Sequence, residues 1–121
     1  MINCLVVGIG GFIGAVCRYL IGFIPVKSES LFPIKTLLIN IVGAFVIGLI
    51  TTLAIKHNYV NSRIVLMLKV GVCGGFTTFS TFAFETSDLI QNGHVIIALA
   101  YILLSVVLGV LAVYSSQIFI N

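Results

Sequence analysis

Residues 95–120 read VIIALAYILLSVVLGVLAVYSSQIFI and contain no charged side chain. A helix that crosses the hydrocarbon core of a bilayer needs about 20 apolar residues, so this stretch is long enough to span it. Only helices and closed barrels satisfy the backbone in lipid, and a run without strict alternation of apolar and polar residues favours the helix. The stretch therefore predicts a transmembrane helix.

Three further apolar stretches precede it, at about residues 2–24, 34–55 and 64–90. The chain has 121 residues, of which 60% are hydrophobic and 7% charged, with a mean hydropathy of +1.29. In water this composition would expose large apolar patches, and the short connections leave no room for a domain outside the membrane. We therefore predict an all-α, multi-pass protein of the cell membrane, with one four-helix domain over residues 1–121.

The charged residues bear on partners and on orientation. The net charge is +3, but the cations are scattered rather than clustered as in nucleic-acid binders, so no nucleic-acid partner is expected. With four spans, one side of the membrane receives Lys56 and Arg63. The other side receives Lys27 and Lys35. Because the loop cations balance, the positive-inside rule gives no preferred orientation, and we expect copies that insert both ways up and pair antiparallel.

The third span contains an unusual segment, GVCGGFTTFSTF, at residues 71–82. Adjacent glycines weaken a helix, while Thr and Ser hydroxyls can satisfy the backbone groups that a break sets free. The segment predicts a broken third helix, whose unwound backbone near the midplane is suited to a small cation such as sodium. The alternative is a continuous, tightly packed helix with capping hydroxyls.

Two rings in this segment are candidates for contact with an anion. Phe79 and Phe82 are three residues apart and share a helix face, with Ser80 and Thr81 on the flanking faces. An aromatic ring has a positive edge, so rings presented edge-on attract an anion weakly, as conduction requires. The competing interpretation is that both rings simply face lipid or the protein core.

Polar side chains in the other spans add candidate hydrogen-bond donors. Asn40 cannot face lipid without a large cost and needs a polar partner or a wet pathway. Tyr101 and Ser105 place hydroxyls one turn apart on the fourth span. Such donors could replace the water around a small, strongly hydrated anion. The ionisable residues inside or at the ends of spans fit either anchoring or function: Arg18, Lys69 and Glu85.

Small residues recur at near-helical spacing in the first three spans and predict close helix packing. The pairs are Gly10 with Gly14, Gly43 with Gly48, and Gly71 with Gly75.

Three segments together resemble the CrcB/Fluc family of fluoride channels: GGFIGAVCRY at 10–19, TLLINIVGAF at 36–45 and CGGFTTFSTF at 73–82. The resemblance implies passive fluoride export through an antiparallel dual-topology dimer with two pores and a sodium ion at the dimer interface. It implies a channel rather than an enzyme. Some members of the family pair two dissimilar chains, so the partner is either a second copy or a paralogous chain.

By position, the resemblance implies that backbone carbonyls of Gly74 and Thr77 from both subunits hold the sodium ion. It also assigns the ion pathway, to Phe79, Phe82, Asn40, Ser80, Thr81 and Tyr101. Arg18 looks like the buried first-helix arginine of the family, and Glu85 like the acidic residue near the pore mouth. The chain departs from the usual pattern at Lys35, where a glycine is common, and at Ala83-Phe84, where a more polar pair is common.

Two other functions remain open at this point. The first is a small four-helix, dual-topology exporter of cations or drugs, which would need an intramembrane carboxylate for proton exchange. The three acidic residues are Glu29, Glu85 and Asp88, and none lies in the first two spans. The second is a membrane scaffold subunit without transport, which would leave the hydroxyl and phenylalanine cluster of residues 77–82 unexplained.

Overall fold

The computed structural model describes residues 1–26 and 31–120, and the described residues form helices, turns and loops without a strand. Residues 27–30, which include the loop cation Lys27 and the acidic Glu29, lie outside the described part of the chain. Four helical stretches are long and apolar enough to cross a membrane: Ile2–Ile21, Ile34–Lys56, Ser62–Gln91 and Val95–Ile120. The prediction of an all-α chain with four spans is confirmed.

The helix ends follow from local hydrogen bonding. The first helix, α1 (Ile2–Ile21), ends before the predicted residue 24. The N–H groups of Gly22, Phe23 and Ile24 bond three residues back instead of four, at 3.0–3.1 Å, which tightens the chain into a turn. Pro25 follows this turn, and the residue before a proline disfavours helical angles. The second helix, α2 (Ile34–Lys56), starts after Pro33.

The third span is assembled from several pieces. It begins with α3 (Ser62–Leu66) and continues as a π-helical segment (Met67–Cys73) and the single turn α4 (Gly74–Phe76). Thr77 and Thr78 then have extended backbone, with ψ of 155° and 113°, before α5 (Phe79–Gln91) begins. A turn at Gly93, whose φ is +83°, leads into α6 (Val95–Ile120).

Glycines bring α1 against the first half of the third span. A Cβ at Gly10 would overlap the Met67 carbonyl oxygen, and one at Gly14 would overlap the Val72 carbonyl oxygen. In lipid, where apolar burial supplies no driving force, such close backbone contact supports helix association through packing. The predicted close packing of the first and third spans is confirmed.

The other half of the molecule is built from α2, α5 and α6. Helix α2 packs along α6, where Gly48 lies against the hydroxyl of the fully buried Ser116. Near the opposite end of α6, Tyr101 and Ala98 form a small core with Leu37 of α2 and Leu89 of α5. The extended residues Thr77 and Thr78 thus lie between the α1 contact and this second group of helices.

Candidate functional site

The side-chain amide of Asn40 holds the extended backbone of Thr78. Asn40 Nδ2 donates to the Thr78 carbonyl oxygen at 3.1 Å, and Asn40 Oδ1 accepts from the Thr78 amide N–H at 2.8 Å. Both backbone polar groups of Thr78 therefore have a partner although this residue lies outside regular helix. The prediction that Asn40 needs a polar partner is confirmed, and that partner is backbone contributed by another span.

The Thr78 hydroxyl caps α5 and joins the polar side chains that follow it. Its Oγ1 accepts from the Thr81 amide N–H at 3.1 Å and donates to the Thr81 hydroxyl, also at 3.1 Å. The Ser80 hydroxyl lies 3.3 Å from the same oxygen. Because a hydroxyl carries one proton, which Thr78 gives to Thr81, the Ser80 hydroxyl acts as the donor in that contact. A threonine at this position is a favoured N-cap.

Aromatic rings form a continuous row beside this cap. The ring centroids of Phe79 and Phe82 are 5.7 Å apart, and Phe82 meets Tyr101 at 5.0 Å with an interplanar angle of 63°. Phe32 meets the other side of Tyr101 at 5.5 Å and 74°. Near-perpendicular contacts of this kind direct the electropositive edge of one ring toward its neighbour. Phe79, at the end of the row, is 79% exposed, whereas Tyr101 is fully buried.

A pocket of about 280 Å³ opens where the amide, the cap and the rings meet. Its lining is uncharged and consists of Asn40, Thr77, Thr78, Phe79, Phe82, Ser105 and Val106. The Ser105 hydroxyl is buried and has no hydrogen-bond partner in the described part of the chain. Since a buried polar group without a partner is costly, this hydroxyl has the capacity to bind a ligand in the pocket.

Tyr101 connects the aromatic row to a carboxylate on α5. Its hydroxyl donates to Glu85 Oε1 at 2.9 Å. Glu85 is half-buried on α5, one turn beyond Thr81, so the bond ties α5 to α6. A hydrogen bond to an ionised acceptor is stronger than one between neutral groups.

Two carbonyl oxygens, at and just before Thr77, lack the N–H partner that a continuous helix would give them. In a continuous helix, the Thr78 N–H would bond to the Gly74 carbonyl, but it is taken by Asn40. Likewise the Thr81 N–H, which would bond to the Thr77 carbonyl, is taken by the Thr78 hydroxyl. Hard carbonyl oxygens released in this way are the ligand type that sodium prefers, so Gly74 and Thr77 fit the predicted cation site. Gly74 is exposed, and a Cβ built on it would meet nothing within 4 Å.

Arg18 occupies the opposite side of the third span. Its Nε donates to the Gly75 carbonyl oxygen at 3.2 Å, which places the guanidinium on the α1 side rather than at the pocket. Gly75 also lies against the backbone of Gly11. Arg18 therefore anchors α1 to a carbonyl near the end of α4. Lys69 is exposed on the π-helical segment.

Comparison with known proteins identifies the family. The family model described as CrcB-like protein, Camphor Resistance (CrcB), matches residues 5–117. The chain belongs to this family.

Curated relatives of this CrcB-family chain carry the name fluoride-specific ion channel FluC. The protein from Ruminiclostridium cellulolyticum is 46% identical over 117 residues, which cover 90% of each chain. The protein from Chlorobaculum tepidum is 39% identical over 118 residues, which cover 98% of this chain and 94% of the relative. Together with the four apolar helices, membership of an ion-channel family indicates an integral membrane protein.

The structure of this CrcB-family chain brings most of the predicted site residues together. Asn40, Phe79 and Phe82 line one pocket, and Tyr101 packs on Phe82. Ser80 and Thr81 bond to the Thr78 cap beside it. Glu85 reaches the group through the Tyr101 hydroxyl, whereas Arg18 lies outside it. The predicted roles of these residues in ion movement remain predictions.

Thr78 is the residue that the sequence interpretation did not select. It bonds to Asn40 through both backbone groups and to Thr81 through its hydroxyl. The available signal was a threonine directly before a helical run, which is typical of an N-cap. The same signal is present at Asn61, whose Oδ1 caps α3 by accepting from the Arg63 N–H at 2.9 Å.

Proposed function

We propose that the protein is a fluoride-selective channel through which fluoride leaves the cytoplasm passively, down its electrochemical gradient. The curated relatives named as fluoride-specific channels support this proposal. The observation that carries it is the uncharged pocket in which the Asn40 amide, two phenylalanine rings and the unpartnered Ser105 hydroxyl converge. Conduction of this kind forms and breaks no covalent bond.

The pocket can replace the hydration shell of a small anion with neutral groups. Ser105 supplies a hydroxyl that has no other partner in the described chain, and Asn40 retains one N–H after bonding to Thr78. Phe79 and Phe82 add ring edges. Because the lining carries no cation, the anion is held by several weak contacts and can leave again, as conduction requires.

The proposed pathway continues from the pocket along polar groups of α5 and α6. The Thr81 hydroxyl accepts from Thr78 and keeps its own proton for an anion, whereas Ser80 would have to release Thr78 in order to donate to one. The Tyr101 hydroxyl lies beyond Phe82. Glu85 is proposed to act near the mouth, where its carboxylate accepts the Tyr101 hydroxyl. An anion that reached Tyr101 would compete with this carboxylate for the same proton donor.

We further propose that the extended pair Thr77–Thr78 is the functional break of the third helix and that it lies at a dimer interface. Gly74, Phe79 and Ser80 are all exposed beside it. Polar groups at mid-membrane depth cannot face lipid without a large cost, so a second copy covering this surface would remove that cost. Balanced loop cations favour an antiparallel pair.

A sodium ion is the proposed structural cofactor at this interface. The carbonyl oxygens of Gly74 and Thr77, released from the helical ladder, are the groups that would hold it. Bound there, sodium would supply the positive charge that compensates these carbonyl dipoles in a low-dielectric environment.

The test is fluoride efflux from liposomes that contain the purified protein, followed with a fluoride electrode. We expect rapid efflux of fluoride and no comparable efflux of chloride from matched vesicles. Fluoride efflux no faster than from protein-free liposomes, or equal efflux of chloride, would remove the proposal. A scaffold subunit or a proton-coupled cation exporter would give the protein-free result.

A further inference from the structure

The C-terminal ends of α2 and α6 border an open cleft with both polar and apolar lining, far along both helices from the Tyr101 core. Its volume is about 510 Å³, and it is lined by Thr52, Ile55, Lys56 and Gln117. Helix α2 ends at Lys56, and α6 ends at Ile120. Because both are apolar spans, their ends lie at the level of lipid headgroups.

Lys56 is positioned to present a positive charge at this cleft. Its Nζ donates to the Ile120 carbonyl oxygen at 3.0 Å, which also caps the end of α6. An ammonium group has three donors, so two remain for a ligand, and the side chain is exposed. Thr52 and Gln117, both half-buried, add neutral donors beside it. A cation flanked by neutral donors matches the chemistry of a phosphate group.

The distribution of charge at this end of the molecule favours an anionic ligand. Residues 52–66 and 115–121 contain no Asp or Glu, and Arg63 at the start of α3 adds a second positive charge. In contrast, Glu85 and Asp88 both lie on α5, in the half of the molecule that holds the Tyr101 core. Juxtamembrane cations attract the anionic lipids of a leaflet.

We propose that this cleft binds the phosphate headgroup of an anionic phospholipid. The lipid is favoured over free phosphate because Ile55, which borders the cleft, is 73% exposed and offers apolar surface for an acyl chain. Free phosphate would use the Lys56 ammonium but gain nothing from that surface. The inference concerns lipid binding and does not depend on the proposed channel function.

The test compares the lipid-induced rise in Tm of detergent-purified protein and of two lysine variants. The probes are phosphatidylglycerol, phosphatidylcholine and inorganic phosphate. At phosphatidylglycerol tenfold above its dissociation constant, we expect Tm of the unmodified protein to rise by about 5 °C, with little change for the other probes. Lys56→Gln is expected to lose this rise. Lys35→Gln is the matched control, since Lys35 Nζ also donates to a helix-end carbonyl, that of Gly22, at 2.9 Å.

A second variant separates the site from bulk charge. Gln117→Leu keeps every charge but removes a neutral donor from the cleft, so the rise in Tm with phosphatidylglycerol is expected to be smaller than in the unmodified protein. The proposal would be overturned if phosphatidylglycerol raised the Tm of Lys56→Gln as much as that of the unmodified protein. It would also be overturned if Lys35→Gln lost the rise in Tm as Lys56→Gln does. An equal rise with inorganic phosphate would overturn the assignment to a lipid.

Discussion

The two sides of the third span are stabilised in different ways. On the α1 side, glycine backbones touch, and a Cβ at Gly14 would overlap the Val72 carbonyl oxygen. On the side of α2 and α6, the Asn40 amide bonds to both backbone groups of Thr78. The first contact depends on the close fit of two backbones, to which Arg18 adds one hydrogen bond. The second depends on donors and acceptors that cannot be left unpaired in lipid.

This difference suggests which side of the third span serves mainly folding and which serves mainly the proposed transport. The glycine contact fixes the position of α1 against the π-helical segment and α4. Glycine has no side chain, so this contact offers a ligand no side-chain hydrogen-bond donor. The Asn40 contact holds the backbone open and leaves a pocket with an unpartnered Ser105 hydroxyl. Substitutions on the α1 side should therefore affect folding first. Those on the α2 and α6 side should affect fluoride flux first.

The largest effect is expected at the glycine contact. Gly14→Leu would force a side chain into the Val72 carbonyl and the Phe76 amide, neither of which can move without displacing the third span. We expect no monodisperse protein by size-exclusion chromatography. Gly8→Ala is the matched control on the same helix, because a Cβ at Gly8 meets nothing within 4 Å, and it should elute as the unmodified protein does. Normal assembly of Gly14→Leu would contradict the packing argument.

Asn40→Leu should have the next largest effect. It leaves the Thr78 N–H and carbonyl without partners, at a cost of about 1–3 kcal/mol for each group. We expect fluoride efflux from liposomes to fall by about tenfold or more at equal protein content. Asn40→Asp keeps an acceptor for the Thr78 N–H and should retain more folded protein than Asn40→Leu. Full fluoride efflux from Asn40→Leu would show that transport does not require the contact between Asn40 and Thr78.

Tyr101→Phe should have an intermediate effect on the same side of the molecule. It keeps the ring contacts with Phe82 and Phe32 but removes the hydrogen bond to Glu85. The loss of a bond to a charged acceptor corresponds to about 1.5–3 kcal/mol, and we expect reduced efflux together with a lower Tm. Thr51→Val, which removes a hydroxyl bonded to Ile47 within α2, is the control and should leave efflux unchanged. Unchanged efflux in Tyr101→Phe would place its hydroxyl outside the pathway.

Ser105→Ala should have the smallest effect, and it tests the pocket without disturbing its walls. The hydroxyl is buried and unpartnered in the described chain, so its removal should leave Tm unchanged or slightly raised. If the hydroxyl binds the ion, efflux of fluoride falls while Tm does not. A fall in Tm without a fall in efflux would mean that Ser105 acts in packing only.

The four spans could be predicted from hydropathy, because in lipid the backbone has few alternatives to a helix. The end of α1 could not, since it depends on a switch of hydrogen bonds at Gly22 and Phe23. The sequence of Met67–Cys73 does not distinguish an α-helix from a π-helix. The two differ only in whether each backbone N–H bonds to the carbonyl four or five residues back. That segment packs on α1, so its geometry is set together with a distant part of the chain.

The residue types of the candidate site could be predicted, but their hydrogen-bond partners could not. Asn40 was recognisable because an amide inside a span needs a partner. Its actual partner, Thr78, lies 38 residues away, and no local pattern specifies such a pairing. The Tyr101 hydroxyl and Glu85 are likewise joined only once α5 packs on α6.

The most direct test of the central claim compares two phenylalanine substitutions in fluoride-loaded liposomes. Phe82→Ile removes a ring from the pocket, whereas Phe12→Ile removes an exposed ring of α1 that does not line it. With both variants assembled as the unmodified protein is, we predict that fluoride efflux is lost in Phe82→Ile and retained in Phe12→Ile. Equal efflux from the two variants would contradict a pathway through the pocket between α2, α5 and α6.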